Sequence, residues 1–171
     1  MVERILSLED IKRTLILLRE VFGYFVNLRK DFTLASMIKY PQIPSFFTES
    51  LALHLLRKAI ILPELKEIPF YLDGRIADII GKNGERRIKI EVKATAASAF
   101  QYFSKKDVTA DFLVWIHFGR FFLNEEQTQI EIFTIRNPSL FFNTSSKITL
   151  QELKNKVKEE LDVISFDFNT L

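Results

Sequence analysis

The stretch RIADIIGKNGERRIKIEVKATA, residues 75–96, sets two runs of alternating polar and apolar residues around the pair Asn83-Gly84. This pair is a strong hairpin signal because both residues tolerate the positive φ angles of a type I′ turn. With the pair as the loop, Asp78 is opposite Lys89 and diagonal to Glu91. The alternation then predicts an apolar face and a second face that carries four charged residues, Asp78, Lys89, Glu91 and Lys93.

The composition limits the classes of protein to which the chain can belong. Its 171 residues suffice for one domain, and the absence of cysteine excludes disulfides, Cys-ligated zinc and thiol nucleophiles and fits a reducing cytoplasm. No run reaches the roughly 18 apolar residues that span a bilayer, so no membrane contact is expected. Without a P-loop or GxGxxG motif, no nucleotide cofactor is expected either.

Capping motifs and periodicity predict the elements around the hairpin. Ser7 with Asp10 and Thr149 with Glu152 have the spacing of capping boxes for a first and a last helix. A second helix is predicted after Pro44, with Glu49 on its apolar side and Ser50 and His54 on its polar side, and residues 95–107 suit a further helix. Predicted strands cover residues 70–72, 75–80, 86–94, 111–118, 129–135 and 164–168. This order predicts an α/β fold, a central mixed β-sheet flanked by α-helices.

The charged face of the hairpin suggests metal-assisted chemistry. A carboxylate held against a sheet, as expected for Glu49, is unfavourable unless it is protonated, paired or bound to a cation. Convergence of Glu49 with Asp78 and Glu91 would suit Mg²⁺, which prefers oxygen ligands, and Mn²⁺ suits the same ligands. Lys93, two residues after Glu91, would hydrogen-bond an attacking water and stabilise charge on a pentavalent phosphate. The pattern predicts phosphodiester hydrolysis.

Asp78, followed after 12 intervening residues by Glu91-Val92-Lys93 and preceded by a helical Glu49, resembles the PD-(D/E)XK nuclease superfamily. That superfamily includes many type II restriction endonucleases and archaeal Holliday-junction resolvases. The resemblance covers residues 45–118 and implies a restriction-endonuclease-like core: a helix, a three-stranded meander, a helix and a further strand. It also implies that Asp78, Glu91, Glu49 and the Val92 carbonyl bind Mg²⁺ and that Lys93 acts in catalysis.

These implications give the expected organisation and activity. We expect a single nuclease domain over residues 1–171, with an added helical element at 1–44, the catalytic core at 45–118 and C-terminal strands and a helix at 119–171. The expected activity is Mg²⁺-dependent cleavage of double-stranded DNA by a type II restriction endonuclease. One site per chain favours a homodimer. Phosphate contacts are expected from Arg86, Arg87, Lys105 and Lys106.

Other interpretations of the same residues remain open. The enzyme class extends to a Holliday-junction resolvase or a DNA-repair nuclease, and a non-catalytic DNA-binding or assembly subunit would keep the fold for its shape alone. Asp78 and Glu91 would pair with Lys89 and Arg87 if this sheet face were solvated. Glu49 would then do no more than favour the dipole of its helix.

Overall fold

The structure is a computed structural model that describes residues 5–31, 37–96, 100–143 and 146–171. Its helices are α1 (Leu8–Asp31), α2 (Ser45–Arg57), α3 (Lys105–Val108) and α4 (Leu150–Val157). Its strands are β1 (Phe70–Leu72), β2 (Ile79–Asn83), β3 (Arg86–Thr95), β4 (Phe100–Phe103), β5 (Phe112–His117), β6 (Gln129–Arg136), β7 (Ser146–Thr149) and β8 (Leu161–Asp167). None of the described helices is both long enough and apolar enough to cross a membrane.

Six strands form a central sheet in the order β1-β2-β3-β5-β6-β8. Strands β3 and β5 are parallel, whereas the other neighbours in this sheet are antiparallel. Parallel neighbours require a crossover connection, which here carries β4 and α3. The predicted α/β fold with a mixed central sheet and flanking helices is therefore confirmed.

The hairpin of β2 and β3 forms, but its register differs from the predicted one. Asn83 pairs with Arg86, so Gly84 and Glu85 make the turn, and Gly84 rather than Asn83 has a positive φ, of 61°. Every predicted pairing is therefore displaced by two residues along one strand. Side chains alternate with a period of two, so this displacement leaves each residue on its predicted face.

Helices and a smaller sheet cover the two faces of the central sheet. On one face, Ile90 and Ile116 pack in a hydrophobic cluster with Leu51 of α2 and Phe22 of α1. On the other face, a second cluster contains Trp115 of β5, Phe103 of β4 and Leu153 of α4. Charged side chains of β3 that project from this second face therefore lie beneath the crossover.

The two predicted capping boxes are confirmed. The Ser7 hydroxyl accepts a hydrogen bond from the Asp10 backbone N–H at 3.1 Å, and the Asp10 carboxylate accepts one from the Ser7 N–H at 3.3 Å. Thr149 and Glu152 make the same reciprocal pair at the start of α4. Both helices thus begin where local chemistry predicts.

Two expectations about the helices are wrong. Residues 95–107 do not form a helix, because β3 continues to Thr95, β4 follows at Phe100–Phe103 and α3 is a single turn. Residues 97–99 of that prediction lie outside the described residues. The expectation of a polar side on α2 is wrong at Ser50, which is fully buried and accepts a hydrogen bond from the Leu6 N–H of the segment before α1, whereas Arg57 and Lys58 on that side are exposed.

Candidate active site

Asp78 lies in the loop before β2, where its carboxylate accepts a hydrogen bond from a backbone N–H of β3. The loop is closed by a hydrogen bond from the Asp73 N–H to the Asp78 carbonyl at 3.1 Å. Asp78 Oδ2 accepts the Val92 N–H of β3 at 2.9 Å. Because Ile79 pairs with Ile90, Asp78 is level with Glu91 rather than diagonal to it. The structure therefore brings these two predicted acids side by side.

Glu91 is the buried acid of this pair, with only 2% of its surface exposed. Its neighbour across the sheet is Leu113 of β5, so its side chain lies on the face beneath the crossover. Oε1 is buried and has no hydrogen-bond partner. Burial, followed by the charge of Asp78, raises the pKa of Glu91 from 4.5 to about 7, although Lys106 acts in the opposite direction. Glu91 therefore retains a proton far more readily than an exposed glutamate does.

Lys106 of α3 lies between the two acids. Its Nζ is 2.9 Å from Asp78 Oδ1 and 3.3 Å from Glu91 Oε2. Burial acts to lower the pKa of Lys106, but the hydrogen bonds and charges of Asp78 and Glu91 outweigh it and the pKa is raised. The sequence pattern assigned Lys106 to DNA phosphates, whereas the structure shows its ammonium engaged with the candidate metal ligands.

Lys93 projects from the same face of β3 as Glu91, two residues further along, as predicted. Its ammonium contacts neither Asp78 nor Glu91 and instead forms an ion pair with Asp107 Oδ1 at 2.9 Å. Asp107 is 1% exposed, and its other oxygen accepts hydrogen bonds from the backbone N–H and hydroxyl of Ser104. Asp107 was not predicted as a site residue, although Ser104-x-x-Asp107 has the spacing of a capping box.

Glu49 of α2 belongs to the same electrostatic group. Burial raises the pKa of Glu49 first, the charge of Asp78 raises it further, and Lys106 and a hydrogen bond from Ser45 lower it. Glu49 is the fifth residue of α2 and lies beyond the first turn, where the helix dipole acts. The dipole therefore does not account for its position.

The remaining predicted DNA contacts fall in two places. Arg86 and Arg87 are exposed near the tip of the hairpin, about 16 Å and about 13 Å along β3 from Glu91 at about 3.3 Å per residue. Arg86 forms an ion pair with Asp111 at 3.1 Å. Lys105 is exposed and precedes Lys106 on α3. Among the residues described, neither Arg87 nor Lys89 pairs with either acid, and the buried Glu91 rules out the alternative of a solvated sheet face.

No family model, curated protein or solved structure matches this chain. The geometry of the site is therefore the basis for assigning a function. Within the described ranges, no three Asp, Glu, His or Cys side chains are grouped so as to form a complete metal site. The residues present nevertheless fit a hard cation, because Glu91 Oε1 is a buried carboxylate oxygen without a partner and Asp78 beside it adds further oxygen donors.

Proposed function

We propose that the chain is a Mg²⁺-dependent DNA endonuclease with a restriction-endonuclease-like core. The observation that carries the proposal is the pair Asp78, in the loop before β2, and Glu91 of β3, held side by side with one buried oxygen of Glu91 unpaired. Lys93 follows on the same sheet face. An unpaired buried carboxylate oxygen is unfavourable unless a cation or a proton meets it.

The order of elements around these residues also supports the proposal. Helix α2 precedes the antiparallel meander of β1, β2 and β3, and β5 then returns parallel to β3. This is the order that the resemblance to the PD-(D/E)XK superfamily implies. It departs from the implied core in the crossover, which carries a short strand and one helical turn instead of a full helix.

The proposed roles follow from the side chains. Asp78, Glu91 and Glu49, together with the Val92 carbonyl, would hold Mg²⁺, and Mn²⁺ would substitute. When bound, the metal would neutralise charge on the scissile phosphate. Lys93 would orient the attacking water and stabilise the negative charge that develops on phosphorus oxygens. The buried Asp107 would fix the direction of the Lys93 ammonium.

Among nucleases, we favour a type II restriction endonuclease that cuts duplex DNA. A Holliday-junction resolvase or a repair nuclease would use the same residues on a branched or damaged substrate. One observation favours a non-catalytic DNA-binding or assembly subunit instead: both lysines of the site are already paired with carboxylates, as in a purely structural ion-pair cluster.

A homodimer is part of the proposal, and α1 offers a surface for it. Four apolar side chains on this helix are largely exposed: Ile16 by 59%, Leu17 by 58%, Val21 by 43% and Tyr24 by 65%. The first turn of α1 is acidic and the last turn is basic. Antiparallel pairing with a second copy would therefore bury the apolar stripe and set opposite charges against each other at both ends.

The test is incubation of the protein with a large, defined duplex DNA, with and without Mg²⁺. We expect discrete Mg²⁺-dependent fragments that Lys93→Ala abolishes. Lys89→Ala is the matched control, because this lysine lies on the same strand and face but does not contact the acids, and it should cut as the wild type does.

The other outcomes separate the alternatives. Cleavage of four-way junctions but not of linear duplex would identify a resolvase. Binding of DNA without cleavage of any substrate would identify the non-catalytic subunit and would overturn the proposed enzyme.

A further inference from the structure

We propose that α3 closes the active site as a built-in plug, in which Lys106 occupies the place of the divalent cation and must leave before the cation binds. This inference rests on the proposed function, because it concerns the same carboxylates. It adds a regulatory contact that the sequence pattern does not contain.

Two charged residues of α3 pair with oppositely charged residues of the site. Lys106 contacts the two acids, with Nζ 2.9 Å from Asp78 and 3.3 Å from Glu91, and the next residue, Asp107, binds Lys93 at 2.9 Å. Two consecutive residues of one helical turn thus neutralise both the candidate metal ligands and the candidate catalytic lysine.

Lys106 and a divalent cation cannot both use these oxygens. The ammonium already contacts one oxygen of each acid, and a second cation bound to the same carboxylates would lie at close range to it. Like charges at such a distance repel strongly in a partly buried site, where water screens them weakly. Lys106 and a divalent cation therefore cannot occupy the site at the same time.

The side chain of Lys106 has a route out of the site. It is 37% exposed, whereas Asp107 is 1% exposed and Val108 is buried in the second hydrophobic cluster. The helical turn is thus anchored by its last two residues, while the flexible four-carbon stem of Lys106 reaches solvent. Rotation of this side chain frees the acids without unfolding α3. The released ammonium is then available for the phosphate contact that the sequence predicts.

The experiment measures Mg²⁺ binding to the full chain by isothermal titration calorimetry in the absence of DNA. Lys106→Met keeps the length of the side chain and removes its charge, so we expect Mg²⁺ affinity to rise by about tenfold, of the order of one lost charge-assisted contact. Lys106→Arg keeps the charge and should remain close to the wild type. Lys105→Met, on the neighbouring exposed lysine, should leave Mg²⁺ affinity unchanged.

A second measurement needs no variant of Lys106. In NMR spectra of the wild type, added Mg²⁺ should shift the ¹H and ¹⁵N signals of the Lys106 ammonium towards those of a free lysine.

The folding of each variant is checked by the fluorescence of Trp115, which is fully buried.

Equal or weaker Mg²⁺ binding by a folded Lys106→Met variant would overturn the plug, as would a Lys106 signal that does not respond to Mg²⁺. The proposed nuclease fails separately. Tighter Mg²⁺ binding by Lys106→Met without cleavage of any DNA would support the plug and reject the proposed enzyme. DNA cleavage with no change in Mg²⁺ affinity would support the enzyme and reject the plug. Absence of Mg²⁺ binding in every variant would reject both.

Discussion

Replacing Glu91 with Gln should stabilise the protein at alkaline pH and much less at acidic pH. Burial, the charge of the neighbouring Asp78 and the charge of Asp107 raise the pKa of Glu91 from 4.5 to about 7, although Lys106 acts to lower it. Between these two values the folded protein keeps a proton that the unfolded chain has released. The stability from this proton is fully present below pH 4.5 and is lost as the pH rises through 7.

The size of the effect follows from the same two values. At about 1.4 kcal/mol per pKa unit, the rise from 4.5 to about 7 corresponds to a loss of about 3 kcal/mol in the free energy of unfolding. Most of this loss falls between about pH 5 and about pH 8. Gln resembles the protonated acid, so the variant should not show this loss.

The assay is urea denaturation in metal-free buffer, followed by the fluorescence of Trp115, the single tryptophan. The raised pKa of Glu49 and the lowered pKa of the half-buried His117 also make stability depend on pH, but both groups are common to the two proteins and cancel in the comparison. Glu85→Gln, at the exposed tip of the same hairpin, is the control and should parallel the wild type. Parallel pH curves for the wild type and Glu91→Gln would refute the reasoning, because they would mean that Glu91 carries its charge in the folded state without penalty.

Three further predictions concern stability and assembly. Gly81→Ala should lower the free energy of unfolding by about 1–3 kcal/mol, because a Cβ there would lie 2.4 Å from the Phe70 ring. Gly23→Ala, in open space on α1, should raise the free energy of unfolding by roughly 0.5–1 kcal/mol. Urea denaturation checks both values. Thr95→Val removes the acceptor of the Trp115 indole N–H and should destabilise by about 1–3 kcal/mol, but Thr134→Val removes a buried hydroxyl without a partner and should be close to neutral in the same assay. Leu17→Glu should convert a dimer into a monomer in sedimentation analysis, and a wild-type protein that is monomeric at high concentration would contradict the proposed interface on α1.

Local chemistry made part of the fold predictable from the sequence. The capping boxes of α1 and α4 and the hairpin depend on residues close together in the chain, and all three form. The hairpin register was wrong because Asn83 remains in its strand and Gly84 alone takes the positive φ. The acids and Lys93 nevertheless share the predicted face, because the displacement of two residues preserves the alternation.

Contacts between distant residues made the crossover unpredictable. Strand β4 pairs with β7, some 46 residues away, and the sequence of residues 95–107 alone does not predict this pairing. Lys106 and Asp107 were missed for a similar reason, because their ion pairs reach back about 15 residues to the hairpin. Exposed lysines near an acidic motif suggest phosphate contacts, and only the folded crossover shows that one of them turns inward.

The balance of charge in the site bears on the proposed exchange of Lys106 for a divalent cation. Four carboxylates, those of Glu49, Asp78, Glu91 and Asp107, interact with only two ammonium groups, those of Lys93 and Lys106. With every acid ionised, two negative charges remain uncompensated at partly buried positions, where burial first and the charge of Asp78 second raise the pKa values of Glu49 and Glu91. Protons can remove the excess only at lower pH. Under the proposal, exchange of Lys106 for one divalent cation would lower this excess from two negative charges to one at neutral pH.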